Sequence, residues 1–359
     1  CTFNVIASSS TTASQLVDVS TLRTVEWTRN GVRLVDQQRL PGRLTFVLCR
    51  DYRQVARAIR DMVVRGAPAL GVTAAMGLAL AARRSKHADN KLLLLDVERA
   101  AETIRATRPT ARNLFWAVER MLRRARQAAD QGRDIRQVLV TEAKLMADED
   151  VEANHKIGAF GAALIEDGDT ILTHCNTGTM ATVSYGTAFG VIRTAVAQGK
   201  RVKVIATESR PRLQGTKITV YEALSENIPT ILIVDSAVGI VMSNGMVDKV
   251  IVGADRITRT AVINKIGTFV IALAARHHGI PFYSAAPMTT FDLTAQSTNV
   301  SIEERDPREV TEIRGRRIAP KGVKVFNPAF DVTPLQLVTA VITDRGVFSR
   351  EQVQNMTAA

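Results

Sequence analysis

The segment Thr170-Ile-Leu-Thr-His-Cys-Asn-Thr-Gly-Thr-Met-Ala-Thr182 organises the rest of the chain. It combines a short apolar run, a cysteine, a turn of small residues and the predicted start of a helix. This order places the Cys175 thiol at the carboxyl end of a strand and at the amino end of a helix. The free N–H groups of a helix start bind anions and favour ionisation of a thiol. The segment therefore predicts an anion site beside a reactive cysteine, although a purely structural cysteine fits the same pattern equally well.

The composition is that of a globular protein, with 46% hydrophobic and 23% charged residues in a 359-residue chain that can form two domains. Few aromatic and many Ala and Val residues favour α/β packing. The three cysteines, Cys1, Cys49 and Cys175, are far apart and form neither a disulfide framework nor a zinc pattern, which indicates a reducing compartment. No acidic or histidine cluster has ligand spacing, and no nucleotide-binding motif follows a strand. We therefore expect no metal and no cofactor.

The net charge of +12 raises the question of nucleic-acid binding. The densest basic run, Arg120 to Arg126, has helical spacing and no interleaved aromatic residues for base stacking. A solvated helix face is the favoured interpretation, and a small anionic substrate is equally compatible with the charge. We expect no nucleic-acid partner.

No segment has the features of a signal peptide or a membrane span. Residues 1–15 are polar, and the longest apolar stretch, Gly66 to Ala82, is interrupted by glycine and proline and predicts a buried helix. We therefore expect a cytoplasmic protein without membrane contact. A nuclear pool in a eukaryote is compatible with the same features.

The chain divides into two regions with different sequence patterns. We expect a flexible tail over residues 1–22, a small and mostly helical α+β domain over 23–145, and a Rossmann-like catalytic domain over 146–359. In the first domain, strands flank the hairpin signal Asn30-Gly31, and another strand covers residues 45–49. Helical spacing follows over residues 52–64, 66–82 and 111–129, and one or two further helices are predicted between 134 and 168.

From Asp169 onward, apolar runs alternate with helical segments, which predicts a parallel sheet with helices on both faces. The predicted strands are Thr170–Cys175, Val202–Glu208, Thr230–Asp235, Lys249–Asp255 and Pro281–Pro287. Because ligands bind at the carboxyl ends of such strands, we expect Cys175, Glu208, Asp235 and Asp255 at one edge of the sheet. This clustering favours a functional Cys175. The neighbouring His174 points to the opposite face and is interpreted as a core residue.

Several segments, in order from about residue 23 to 349, resemble the methylthioribose-1-phosphate isomerase family. They are Arg65-Gly-Ala-Pro-Ala, Arg108-Pro-Thr, Cys175-Asn-Thr-Gly-Thr-Met-Ala-Thr, Glu208-Ser-Arg-Pro-Arg-Leu-Gln-Gly, Gly253-Ala-Asp-Arg-Ile, Asn264-Lys-Ile-Gly-Thr, Pro281-Phe-Tyr-Ser-Ala-Ala-Pro, Ile302-Glu-Glu-Arg and Asn327-Pro-Ala-Phe-Asp-Val-Thr-Pro. The superfamily also contains ribose-1,5-bisphosphate isomerase and the regulatory subunits of translation initiation factor two-B.

The resemblance implies an aldose–ketose isomerase of methionine salvage that acts on a sugar phosphate, with Cys175 and Asp255 as the catalytic pair, and a homodimer. The substrate- and phosphate-binding positions it implies are Arg65, Gly66, Ala67, Arg108, Asn176, Thr177, Gly178, Gln214, Asn264 and Lys265. Two alternatives stay open: a non-catalytic regulatory subunit of the translation factor, and an isomerase of ribose 1,5-bisphosphate. The catalytic pair and the Asn-Lys dipeptide argue against the regulatory subunit.

The chain departs from the family pattern in three places. The Asn-Gly-Asp that usually precedes Asn264-Lys265 is missing, and the stretch from Asp255 is shorter. A real shortening puts the position of Lys265 in doubt, and residues absent from this sequence explain the difference equally well. Ser209 replaces a usual threonine and Ser301 a frequent proline, with little expected effect on the chemistry.

Overall fold

The computed structural model describes residues 16–108 and 110–357. Most of the predicted flexible tail, residues 1–15, lies outside the described residues. Within the rest of it, Val19 is fully buried and packs in one apolar cluster with Leu40 and Met180. The chain therefore packs against the body of the protein from about this residue.

A three-stranded antiparallel sheet opens the described chain. Its strands are β1 (Val25–Thr28), β2 (Gly31–Val35) and β3 (Phe46–Cys49). The predicted hairpin at Asn30-Gly31 is confirmed. Gly31 has a φ of 151°, and a Cβ atom there would lie 2.2 Å from the Cys49 carbonyl oxygen, so only glycine fits.

A bundle of helices follows this sheet. They are α1 (Tyr52–Arg60), α2 (Ala67–Arg84), α3 (Asn90–Arg105), α4 (Arg112–Asp130) and α5 (Ile135–Ala162). The predicted buried helix is α2, in which every residue from Ala67 to Ala82 is buried, as expected for a helix that is apolar on all sides. No helix among the described residues is long and apolar enough to cross a membrane. The sequence analysis did not predict α3.

Helix α5 connects two hydrophobic cores. Ala143 and Met146 in its first half pack in the core of the helical bundle, and Ile157 and Ala162 in its second half pack in a core that includes the large sheet. The predicted domain boundary after residue 145 lies inside this single 28-residue helix. The division into residues 23–145 and 146–359 stays a prediction.

The second half of the chain contains the remaining strands and helices. The strands are β4 (Thr170–Thr173), β5 (Lys203–Thr207), β6 (Thr230–Ile233), β7 (Lys249–Val252), β8 (Arg256–Ile257), β9 (Ala261–Lys265), β10 (Phe282–Ala285), β11 (Glu312–Ile313), β12 (Arg316–Arg317), β13 (Phe330–Pro334), β14 (Ala340–Thr343) and β15 (Gly346–Ser349). The helices are α6 (Ala188–Ala197), α7 (Val220–Ser225), α8 (Val238–Ser243), α9 (Thr268–His277), α10 (Arg308–Thr311) and α11 (Arg350–Gln354).

The large sheet has the strand order β15-β14-β10-β7-β4-β5-β6, and every pair in it is parallel except β14 with β15. All five predicted strands are present. Alternate residues face different cores: Leu172 and Val250 pack with residues of α8 and α9, whereas Ile171 and Ile251 pack with residues of α5 and α6. The Rossmann-like class, with helices on both faces, is confirmed.

The crossing of α5 and α6 depends on a glycine. A Cβ atom at Gly161 would lie 2.3 Å from Cγ2 of Val191. Glycine to alanine usually stabilises a helix by about 0.5–1 kcal/mol. At this crossing we expect Gly161→Ala to lower the free energy of unfolding by about 1–3 kcal/mol, because the packed neighbours must move. Denaturant titration measures it.

The matched control is Gly239→Ala on α8, where no atom lies within 4 Å of the added Cβ. This variant should be neutral or stabilised. Adding Val191→Ala to Gly161→Ala should recover part of the loss. Equal behaviour of the two glycine variants would contradict the packing account.

Candidate active site

The chain after Cys175 does not enter an α-helix. A single 3-10 turn, Thr179–Ala181, follows, and α6 begins only at Ala188. The N–H groups of Thr179 and Met180 donate to the Glu222 carboxylate at 2.7 and 3.2 Å. The predicted start of a helix directly behind Cys175 is therefore wrong, and two amides of the turn that follows hold a carboxylate of this chain. The phosphate contacts expected at Asn176, Thr177 and Gly178 stay a prediction.

Cys175 has a left-handed backbone with a φ of 63°. This conformation costs a residue other than glycine on the order of 1 kcal/mol and needs support from its surroundings. The Cys175 N–H donates to the Ser209 hydroxyl at 2.8 Å, and its carbonyl accepts from the Thr219 hydroxyl at 2.6 Å. Ser209 thus provides the hydroxyl acceptor that a threonine would provide at this position.

Almost all of the predicted site residues line one cavity. It lies at the carboxyl ends of β4 and β7 and is closed by the start of α2 and by the ends of β9 and β13. The predicted residues that line it are Arg65, Gly66, Ala67, Arg108, Cys175, Asn176, Thr177, Gln214, Asp255, Asn264 and Lys265. The structure therefore brings the thiol, the carboxyl group and the cations to one place.

Gly178 is the exception, because it does not line the cavity. A Cβ atom at Gly178 would lie 2.1 Å from Oε2 of Glu222. The glycine allows the loop to approach that carboxylate closely. The requirement for glycine at this position therefore comes from the Glu222 contact and not from a contact with the cavity.

The helix that does present its start to the cavity is α2. Gly66 precedes it with a φ of 97°, and a Cβ atom there would lie 2.3 Å from the Ala181 carbonyl oxygen. Ala67 and Pro68, the first residues of this 18-residue helix, line the cavity. The free N–H groups and partial positive charge of a helix start favour an anion at this position.

Arg65 adds a full charge at the same place. It is 8% exposed, and its Nε donates to Gln37 Oε1 at 3.0 Å while its terminal nitrogens donate to Asn176. Among residues 16–108 and 110–357, no carboxylate lies within salt-bridge distance of it. Burial lowers its pKa, and the charges of Cys175 and Glu222 oppose that shift. A buried cation with only neutral partners is a natural binding group for an anionic ligand.

Lys265 reaches the cavity in spite of the shortened stretch before it. Strands β8 and β9 form a tight hairpin, in which Thr258 N–H donates to the Ala261 carbonyl at 2.9 Å. Lys265 is 6% exposed, and its ammonium group donates to the Ala329 carbonyl at 2.9 Å. Burial lowers its pKa, against the charges of Cys175 and Asp255. The hairpin needs no further residues to bring Lys265 to this position.

Asp255 lies between the cations of the cavity. Burial raises the pKa of its carboxyl group, and the charges of Lys265, Arg108 and Arg65 partly oppose that shift. The carboxyl group therefore keeps its proton to a higher pH than an ordinary aspartate does. This property suits a proton donor.

The other cations of the cavity have carboxylate partners. Arg108 lies 3.1 Å from Glu303, Arg305 pairs with Glu303 and Glu309 at 2.6 Å each, and Arg212 pairs with Glu309 at 3.0 Å. None of Arg212, Arg305, Glu303 and Glu309 was among the predicted site residues. The signal was available for three of them, since they lie within or directly beside the segments that carry the resemblance.

Only two of the four predicted strand-end residues reach the cavity. Cys175 and Asp255 follow β4 and β7, which are neighbours in the sheet, whereas β5 and β6 lie towards its edge. Asp235 instead accepts from the N–H groups of Ser209 and Arg210 at 2.8 and 2.6 Å and holds the turn after β5. All four residues follow parallel strands at the same edge of the sheet, as expected, and Glu208 and Asp235 do not line the cavity.

His174 is a core residue, as predicted. Its side chain is buried, with 1% exposed. The Nδ1 atom accepts a hydrogen bond from the Thr207 hydroxyl at 2.6 Å, and Nε2–H donates to the Ile266 carbonyl at 2.8 Å. Burial lowers its pKa. The imidazole therefore links the end of β5 to the segment before α9.

The raised pKa of Asp255 can be measured directly. We expect the infrared band of its protonated carboxyl group, identified by its loss in Asp255→Asn, to persist above the pH range of ordinary aspartates. Lys265→Met should raise this pKa further, because the Lys265 charge opposes the effect of burial. Lys217→Met, which removes a cation outside the cavity lining, is the control and should leave the band unchanged. A lower pKa in Lys265→Met would contradict the account.

Comparisons with known proteins extend over most of the chain. The model of the Initiation factor 2 subunit family matches residues 63–350. The methylthioribose-1-phosphate isomerase of Desulforamulus reducens is 47% identical over 338 residues, which cover 93% of this chain and 98% of that protein.

Two solved structures are similar in sequence and fold. The crystal structure of 5-methylthioribose 1-phosphate isomerase from Pyrococcus horikoshii OT3 has a TM-score of 0.85 and 41% identity, over 95% of this chain and 96% of that one. The crystal structure of the translation initiation factor eIF-2B, subunit delta, from A. fulgidus has a TM-score of 0.80 and 50% identity, over 91% and 96%. The resemblance inferred from the sequence is thereby confirmed, and the chain belongs to the Initiation factor 2 subunit family, in which its similar relatives include methylthioribose-1-phosphate isomerases.

Proposed function

We propose that this chain is an aldose–ketose isomerase that converts 5-methylthioribose 1-phosphate to 5-methylthioribulose 1-phosphate in methionine salvage. One observation carries the proposal: a single cavity holds the Cys175 thiol, the Asp255 carboxyl group and the buried Arg65, which has no carboxylate partner in the described chain. The names of the relatives support the same reaction. The proposal includes cytoplasmic localisation and a homodimer, which rest on the sequence analysis.

The phosphate of the substrate binds at Arg65 and at the start of α2. The guanidinium group supplies a full positive charge in a site of low exposure, where charge-assisted hydrogen bonds are strong. The helix start supplies the N–H groups of Gly66 and Ala67 in the same cavity, whereas Pro68 has no N–H. Together they hold the anomeric end of the sugar and leave the reacting carbons near Cys175 and Asp255.

Asp255 opens the sugar ring. Phosphate on the anomeric oxygen locks the ring, so the bond between C1 and the ring oxygen breaks when that oxygen receives a proton. Asp255 supplies this proton, and C1 is left as an oxocarbenium carbon. The Asp255 carboxylate then accepts the proton of the C2 hydroxyl, so that the residue is protonated again at the end of the cycle.

Cys175 manages the hydrogen that moves from C2 to C1. In one route the thiolate removes it as a proton, an enediol ester forms, and the thiol returns the proton to C1. In the other route the hydrogen moves as a hydride directly to C1, beside the polarising sulfur. Both routes end with a ketone at C2 and fit the position of Cys175, while Lys265 stabilises negative charge that develops on oxygen.

The charge pairing in the cavity supports a monophosphate over ribose 1,5-bisphosphate. Arg108, Arg212 and Arg305 each pair with Glu303 or Glu309, so the three arginines share two carboxylates. A second phosphate would have to displace one of these carboxylates from its arginine partners. The cavity also contains the apolar side chains of Met62, Leu70 and Phe330, which suit a methylthio group.

A non-catalytic regulatory subunit is the second candidate, favoured by the name of the A. fulgidus structure. Such a subunit needs neither a proton-retaining carboxyl group nor a thiol in its cavity. Absence of turnover with methylthioribose 1-phosphate, together with co-purification of translation factors, would favour this candidate.

Loss of either catalytic group should abolish most of the activity. We expect Cys175→Ser and Asp255→Asn each to lower the rate of conversion of 5-methylthioribose 1-phosphate by on the order of 10²-fold or more, the usual effect of a missing acid–base group. The matched control is Cys49→Ala, since Cys49 is buried away from the cavity and its pKa is raised to about 11. If both variants stay folded and keep near-normal rates, the assignment is wrong.

The two candidate substrates should be separated in one assay. We expect kcat/KM to be higher for 5-methylthioribose 1-phosphate than for ribose 1,5-bisphosphate, because the arginines beyond Arg65 that line the cavity already pair with Glu303 and Glu309. A preference for the bisphosphate would overturn the substrate assignment and leave the isomerase chemistry in place.

A further inference from the structure

We propose that Glu222 is a positioning residue, which aims the Arg65 guanidinium at the bound phosphate by fixing the orientation of the Asn176 amide. The contacts among Glu222, Asn176 and Arg65 do not depend on any assumed function, whereas the link to a phosphate-bearing substrate rests on the proposed function. Glu222 does not line the cavity, and nothing in the sequence analysis singled it out.

The Glu222 carboxylate is fully buried and takes three hydrogen bonds from one loop. Asn176 Nδ2 donates to Oε1 at 2.8 Å, Met180 N–H donates to Oε1 at 3.2 Å, and Thr179 N–H donates to Oε2 at 2.7 Å. All three partners are donors, and the two oxygens of the Glu222 carboxyl group accept from them together. The loop after Cys175 is therefore built on this one side chain.

This arrangement decides which end of the Asn176 amide faces Arg65. Nδ2 must point at Glu222, and it also lies 3.3 Å from the Thr219 hydroxyl. Oδ1 is thereby turned to the opposite side, where the Arg65 guanidinium donates to it. A reversed amide would place its N–H groups against a cation that has no lone pair to accept them. Glu222 thus acts on Arg65 through Asn176.

The helix that carries Glu222 also supports the catalytic thiol. A π-helical turn, Gly215–Thr219, leads into α7, and such turns often occur at functional sites. Thr219 donates to the Cys175 carbonyl at 2.6 Å, one turn before Glu222 reaches the loop. One helix therefore sets both the backbone of Cys175 and the partner of Arg65.

Glu226 provides a matched control. It is a second acidic residue at the end of the same helix, with a side chain that is 8% exposed, and its Oε2 accepts from Arg193 Nε at 2.6 Å. Among the hydrogen bonds of the described chain, it makes none to the loop after Cys175. Arg193 also lies 3.5 Å from Oε2 of Glu222, so the two carboxylates share this cation. Replacing Glu226 therefore tests the loss of a buried carboxylate beside Arg193 while the hydrogen bonds from Asn176, Thr179 and Met180 to Glu222 remain.

The test is a double-mutant cycle on the full chain, with Glu222→Gln, Asn176→Ala and the double variant. The readouts are KM and kcat for 5-methylthioribose 1-phosphate, and calorimetric titration with inorganic phosphate. A glutamine at 222 turns an N–H group towards either the Thr179 N–H or the Asn176 amide. We expect Glu222→Gln to weaken phosphate binding and raise KM by about tenfold, with a smaller change in kcat.

The cycle distinguishes positioning from general support of the fold. Because Glu222 acts through Asn176, the double variant should bind phosphate about as weakly as Asn176→Ala alone. Glu226→Gln should lower the melting temperature and leave KM and phosphate affinity unchanged. Independent, multiplicative effects of the two substitutions, or an equal rise of KM in Glu226→Gln, would overturn the proposal.

Two further measurements keep the inference separate from the proposed function. If the wild-type chain does not convert the sugar phosphate, the function fails, and the phosphate titration still tests Glu222. If Glu222→Gln does not fold, Glu222→Asp keeps the charge and withdraws the carboxylate from Asn176. It should weaken phosphate binding in the same way, and unchanged affinity would overturn the proposal.

Discussion

The buried Arg65 guanidinium is the group around which the cavity is organised. A cation in a site of 8% exposure is costly unless polar partners or an anion compensate it. In the described chain its hydrogen-bond partners are Gln37 and Asn176, both neutral. The fold therefore maintains an unneutralised positive charge beside the thiol of Cys175, and an anionic ligand supplies the missing compensation.

Two helices hold the groups of the cavity in position. The first is α2, which is buried along almost its whole length and brings Arg65 and its own free N–H groups to the cavity. The second includes the π-helical turn before α7 and holds the loop after Cys175 through Thr219 and Glu222. The thiol and the guanidinium thus lie far apart in the chain, and the Asn176 side chain connects the loop that carries the thiol to the guanidinium.

Much of the architecture was predictable because it depends on local patterns. Apolar runs that end in Cys175 and Asp255 predicted the parallel strands, and the Asn-Gly turn predicted the hairpin. The helix expected directly after Cys175 was wrong: a short turn follows, and its amides donate to Glu222, which is distant in sequence. The order of the strands in the sheet could not be predicted from the sequence either. Asp235 and Asp255 each follow a strand, but β6 lies at the edge of the sheet and β7 at its centre.

The strand-and-helix alternation, the family and the chemical types at the site follow from side-chain periodicity and from short motifs in the sequence. Which charges are paired and which are not depends on the three-dimensional packing. Arg65 and Arg108 look alike in the sequence, but Glu303 neutralises one of them and no carboxylate of the described residues reaches the other. That difference arises from contacts between residues far apart in the chain, because charge pairing depends on distance in space and on burial.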